Sequence, residues 1–97
     1  MAYASKFKSK EIDGLFDAVL TLKDKDDCYR FFEDLCTINE IQAMAQRLQV
    51  AKLLNEKKTY SEIEQQTKAS TATISRINKC LNYGAEGYSR ILKRLEK

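Results

Sequence analysis

Apolar positions recur three and four residues apart in successive stretches of this 97-residue chain, and polar groups able to cap a helix separate those stretches. Ser9 is placed to cap a first helix reaching Leu22, with Ile12, Leu15, Phe16, Val19 and Leu20 as its stripe. Glu11 and Asp13 fall in the first turn, where acids favour the helix dipole. The strength of that stripe implies a partner helix. Asp24 caps a second helix, Lys25 to Leu35, whose expected buried side is Cys28, Phe31, Phe32 and Leu35. Thr37 and Glu40 have the spacing of a capping box and open the longest helix, running to about Asn55. Ile41, Met44, Ala45, Leu48, Ala51 and Leu54 line one face of it, and Val50 and Leu53 widen that face. So broad an apolar band implies burial on two sides, as at a dimer centre.

The stretch from Tyr60 to Leu81 predicts two short helices and a tight turn, with the whole motif spanning about 59–81. Thr59 and Glu62 form a second capping box, and Ser70 is a good N-cap for the helix that follows. Ile63 and Thr67 are expected to face inward, Ala69 to sit in the turn, and Ile74, Ile77 and Leu81 to form one apolar stripe. Lys68 occupies the turn position that usually asks for glycine, which implies a positive φ. Glu64 falls where a small residue usually lets the two helices approach. Beyond Leu81, Asn82-Tyr83-Gly84 reads as a helix stop with Gly84 free to take positive φ. Tyr88, Ile91, Leu92 and Leu95 then mark a sixth helix over about 85–96. Met1 to Lys8 reads as a flexible arm, and 9–97 as one all-α, helix-turn-helix domain.

Composition sharpens this picture. The chain has no Pro and three Gly, so breakers rarely interrupt the helices. It has no His, which removes the commonest general base and the commonest metal ligand. Cys28, Cys36 and Cys80 share no metal or disulfide spacing and read as free thiols in a reducing cytosol. The Asp24, Asp26 and Asp27 cluster fits no metal-ligand spacing and reads as an acidic helix start. No cofactor or metal is expected. No apolar run approaches membrane length and no apolar leader is present, so a cytoplasmic protein is expected.

The net charge of +3 is unevenly spread. Residues 1–67 carry ten Lys and Arg against twelve acids, net −2; residues 68–97 carry seven against two, net +5. The positive region begins at the turn of the helix pair. On the outward side of the second helix lie Ser70, Thr71, Ala72, Thr73, Ser75, Arg76 and Lys79, and Lys68 flanks them in the turn. Hydroxyls and small methyls suit base edges in a major groove, and cations suit phosphates. A merely solvated face is the alternative. Such a face has no need to avoid acids, yet none occurs between Ala69 and Asn82.

The segments EIQAMAQRLQVAKLL, TYSEIEQQTKASTATISRINKCLNYG and the closing basic helix resemble the tryptophan-repressor superfamily, in particular its YerC/YecD branch. The likeness spans about Ile12 to Leu95, and STATISR followed by NKCLNYG carries most of it. It implies a six-helix, intertwined bacterial homodimer whose N-terminal helices interlock and whose two helix-turn-helix units read DNA. In tryptophan-binding relatives the corepressor lies between two arginines near a threonine. Arg47, Arg76 and Thr37 look like the matching positions of an effector pocket. Those relatives have a glycine after the second arginine, whereas this chain has Ile77, whose branched side chain should fill the slot and exclude tryptophan. Arg76 is then left for a phosphate contact or an internal ion pair.

Three functions are weighed against these residues. A sequence-specific, repressor-like transcription regulator on double-stranded DNA is the leading reading. A helix-turn-helix protein-interaction module with weak or no specific DNA binding is the alternative, and salt dependence of duplex binding separates the two. An enzyme is not expected, because no nucleophile motif is present and Ser and Thr fall at caps and on the reading face.

Overall fold

The computed structural model describes residues 3–96, and among them the chain forms six helices and no strand. They are α1 (Lys10–Val19), α2 (Lys25–Leu35), α3 (Ile38–Asn55), α4 (Tyr60–Thr67), α5 (Thr71–Tyr83) and α6 (Gly87–Leu95). The chain divides into two compact units, one ending at Thr37 and the other beginning at Ile38. Of the N-terminal arm, residues 3–8 are non-helical, and Met1 and Ala2 lie outside the described residues.

In the first unit both predicted caps form. The Ser9 hydroxyl accepts from the Ile12 N–H at 3.0 Å, and Asp24 Oδ1 accepts from the Asp27 N–H at 2.9 Å. The first helix closes earlier than the expected Leu22. Thr21 and Leu22 donate to carbonyls three residues back at 3.1 Å, and the Thr21 hydroxyl adds a 2.7 Å bond to the Ala18 carbonyl. These tighter turns satisfy the final carbonyls and end α1 at Val19. The three aspartates at the start of α2 lie close together, but each has a local role. Asp24 caps, Asp26 pairs with Arg30 at 2.7 Å, and Asp27 accepts from the Lys23 N–H at 3.1 Å.

Cys28, Phe31, Phe32 and Leu35 do share a side of α2, but that side is not buried. No residue of α1 or α2 is buried, and Leu35 remains 48% exposed. Phe31 and Phe32 meet edge to face with centroids 5.5 Å apart. Residue spacing identifies an apolar face without saying what covers it.

The second unit is built on α3, against which α4, α5 and α6 all pack, while α5 also touches α4 and α6. Its core is Val50, Ala51, Leu53, Ile63, Ala69, Ile74, Ile77 and Leu92. Leu54, Tyr60, Leu81 and Tyr88 close around it. Val50, Ile63 and Ile74 are fully enclosed, each contributing about 1.5–3 kcal/mol of burial. The predicted face of α3 is only half realised. Ala51 and the broadening residues Val50 and Leu53 are in the core, whereas Met44 and Leu48 stay about two-fifths exposed. The buried residues of α3 are Val50, Ala51 and Leu53, so the apolar positions that precede them are left more open.

A Schellman turn ends α3: the Lys58 N–H reaches the Leu53 carbonyl and the Lys57 N–H reaches that of Leu54, with Lys57 at φ 68°. The stop after α5 departs from expectation. The helix runs on to Tyr83, and Gly84 takes φ −87°, not a positive value. Glycine is needed there for room, since a Cβ at Gly84 would lie 2.4 Å from the Cys80 carbonyl oxygen. The left-handed residue is Glu86 instead, at φ 68°, and it delays the start of α6 from the expected 85 to Gly87.

Gly84→Ala should therefore destabilise the fold by about 1–3 kcal/mol in urea unfolding, as overpacking does. Gly87→Ala, where a Cβ meets open space, should change stability by no more than about 1 kcal/mol and in the stabilising direction.

Candidate nucleic-acid interface

Two caps and one threonine position the helix pair. The capping box predicted at Thr59 forms in both directions. The Thr59 hydroxyl accepts from the Glu62 N–H at 3.1 Å, and Glu62 Oε1 accepts from the Thr59 N–H at 2.8 Å. At the other end of α4, Lys68 is left-handed as expected, with φ 64° and its N–H on the Glu64 carbonyl at 2.9 Å. Thr67 lies inside the bend, only 9% exposed. Its hydroxyl donates to the Ile63 carbonyl at 2.8 Å and accepts from the buried Ala69 N–H at 3.1 Å. From α3, Gln46 Nε2 donates to the Thr67 carbonyl at 3.0 Å. The Lys68 N–H, the Thr67 carbonyl and the Ala69 N–H, which the bend would otherwise strand, thus each have a partner.

Ser70 caps α5 as predicted, accepting from the Thr73 N–H at 3.1 Å, and its hydroxyl also bonds that of Thr73 at 3.1 Å. Ile74 and Ile77 seat the helix on the core. The opposite side is therefore turned outward. Lys68, Ser70, Thr71, Ala72, Ser75, Arg76 and Lys79 are exposed, and Thr73 is half-buried. Arg76 forms no ion pair among the described residues, so its guanidinium is available to an outside acceptor.

Two features escaped the sequence patterning. Gln46 lies on α3, and nothing in local spacing pairs it with a carbonyl 21 residues away. Glu64 receives a short hydrogen bond from the Thr71 hydroxyl. The acid-free run from Ala69 to Asn82 is consequently not an acid-free surface, because α4 brings one carboxylate beside the start of α5. The signal available in the sequence was Glu64 itself, standing where a small residue usually lets the two helices approach.

The residues matched to an effector pocket are distributed between the two units. Thr37 ends the first, and Arg47, Arg76 and Ile77 belong to the second. Both arginines are exposed. Ile77 is part of the core and 4% exposed. The second unit also has an apolar groove of about 450 Å³ lined by Leu48, Cys80, Ala85, Gly87, Tyr88 and Ile91. No helix among the described residues is long and apolar enough to cross a membrane.

Against this geometry the comparison with known proteins is decisive: residues 10–96 match the family described as Trp repressor protein. The chain belongs to the Trp repressor family. The uncharacterized protein YerC of Bacillus subtilis is 58% identical over 92 residues, covering 95% of this chain and 88% of that one. A solved TrpR-like protein from Eubacterium eligens is 55% identical with a TM-score of 0.90, covering 94% of each chain. A solved structure from Staphylococcus aureus is 52% identical with a TM-score of 0.89, covering 94% of this chain and 91% of that one. The six-helix Trp repressor-like architecture and the YerC-type branch expected from the sequence are thus both found. Trp repressor membership places the chain in a family of helix-turn-helix regulators.

The capping box has a pH consequence. The Thr59 N–H and then the Thr59 hydroxyl hold the Glu62 carboxyl below its ordinary value of 4.5; desolvation opposes them, and the nearby Lys58 charge adds a lesser lowering. A carboxyl depressed in the folded state stabilises above its unfolded pKa and loses that contribution as pH falls through the folded one. Urea unfolding at pH 7 and at successive values below 4.5 should show a smaller acid loss of stability for Glu62→Gln than for the unaltered chain.

Proposed function

We propose that this chain is a sequence-specific transcription regulator that binds double-stranded DNA as a homodimer, each copy presenting α5 to a major groove of a palindromic operator. The observation that carries this reading is the outward face of α5. Its apolar side is held in the core, while Lys68, Ser70, Thr71, Ala72, Thr73, Ser75, Arg76 and Lys79 occupy the remaining surface and its approach. Thr71, Ala72, Thr73 and Ser75 are suited to base edges, and Lys68, Arg76 and Lys79 to phosphates.

A second copy is supported by the uncovered apolar surface within each unit. The first exposes Phe16 at 56% and Leu20 at 82%, and the second exposes Met44 and Leu48. Two reading helices related by a twofold axis require half-sites about one helical turn apart. The same reading makes tryptophan a poor effector. Glycine leaves space in tryptophan-binding relatives, whereas here Ile77 is committed to the core beside Arg76. Repression, as opposed to activation, follows from family likeness only.

Selection of bound duplexes from a random pool should recover a palindrome, and its affinity should fall steeply with salt. Lys79→Ala should weaken all duplexes alike and reduce the salt slope by about one. Thr73→Ala should relax preference at one or two base positions by about 1–3 kcal/mol. No enriched sequence together with a flat salt dependence would favour a protein-interaction module.

A further inference from the structure

Thr71 is the first residue of α5, exposed on the face assigned above to base reading. Its hydroxyl carries one proton and can accept on its lone pairs. An ionised carboxylate can only accept, so the bond between Thr71 Oγ1 and Glu64 Oε2 fixes where that proton goes. Glu64 is half-buried on α4, held in the same short helix that ends at the Thr67 bend. Thr71 is thereby converted from a group of either polarity into an acceptor.

In a major groove, adenine N6 and cytosine N4 are donors at the base edge, while guanine O6 and thymine O4 are acceptors. We propose that Glu64 is a specificity-determining residue: by taking the Thr71 proton it makes this position of the reader select an amino base, A or C, over a keto base, G or T, on the contacted strand. The inference rests on the DNA-reading role proposed for α5.

The test is duplex selection run in parallel on the unaltered protein, Glu64→Gln and Thr71→Val. The unaltered protein should enrich A or C over G or T at one position of each half-site by about tenfold, the scale of one well-made hydrogen bond. Glu64→Gln can donate from its amide, which frees the threonine proton, and should reduce that preference to roughly threefold or less. Other positions should keep theirs. Thr71→Val removes the hydroxyl and should lose preference at the same position only. The preference persisting in Thr71→Val, or unchanged in Glu64→Gln, would overturn the proposal while leaving the operator-binding reading intact. Failure of the unaltered protein to enrich any sequence would overturn both.

Discussion

The arrangement of the reading unit depends on how the Thr67 hydroxyl is spent. A chain that turns sharply between two short helices must bury backbone groups that the helix ladder no longer satisfies, and an unmet buried donor costs about 1–3 kcal/mol. Thr67 meets the problem from inside the bend. It returns its proton to the Ile63 carbonyl and offers a lone pair to the Ala69 N–H, while Gln46 reaches across from α3 to the Thr67 carbonyl. The bend is then tied to the helix that organises the second unit. With the bend set, Ala69 closes over the core, Ser70 caps α5, and Ile74 and Ile77 have one direction in which to point.

Function follows from what that orientation leaves over. A thirteen-residue helix that buries only Ile74 and Ile77 must display most of its surface. Here the display is hydroxyls, small side chains and cations, with a single carboxylate brought in from α4 and hydrogen-bonded to Thr71. The basic C-terminal third extends the same positive charge past α5 through Arg90, Lys93 and Arg94, all exposed on α6. Positive charge and exposed hydroxyls thus come from adjacent segments of one small unit.

Much of this was legible in the residues. Local rules found all six helices, the caps at Ser9, Asp24, Thr59 and Ser70, the left-handed Lys68 and the inward Ile63, Thr67, Ile74 and Ile77. These features depend on neighbours within four positions, which is the range over which caps and stripes are written. What was missed depends on other elements. Gly84 is glycine because the Cys80 carbonyl crowds it, Gln46 and Glu64 find partners on different helices, and Phe31, Phe32 and Met44 have apolar faces that spacing reveals without identifying a cover. Among the residues proposed to meet DNA, sequence placed the N-cap and the exposed positions, but the bond from Thr71 to Glu64 required the bend that brings the two together.

The central claim is that the outward side of α5 is the surface that meets DNA, and backbone amide shifts in an isotope-labelled protein titrated with a selected duplex test it most directly. The largest changes should cluster over residues 68–79, diminish with added salt, and leave Ile63 and Val50 in the core little altered. Changes confined to α1 and α2, or a spectrum unmoved by duplex at low salt, would contradict it.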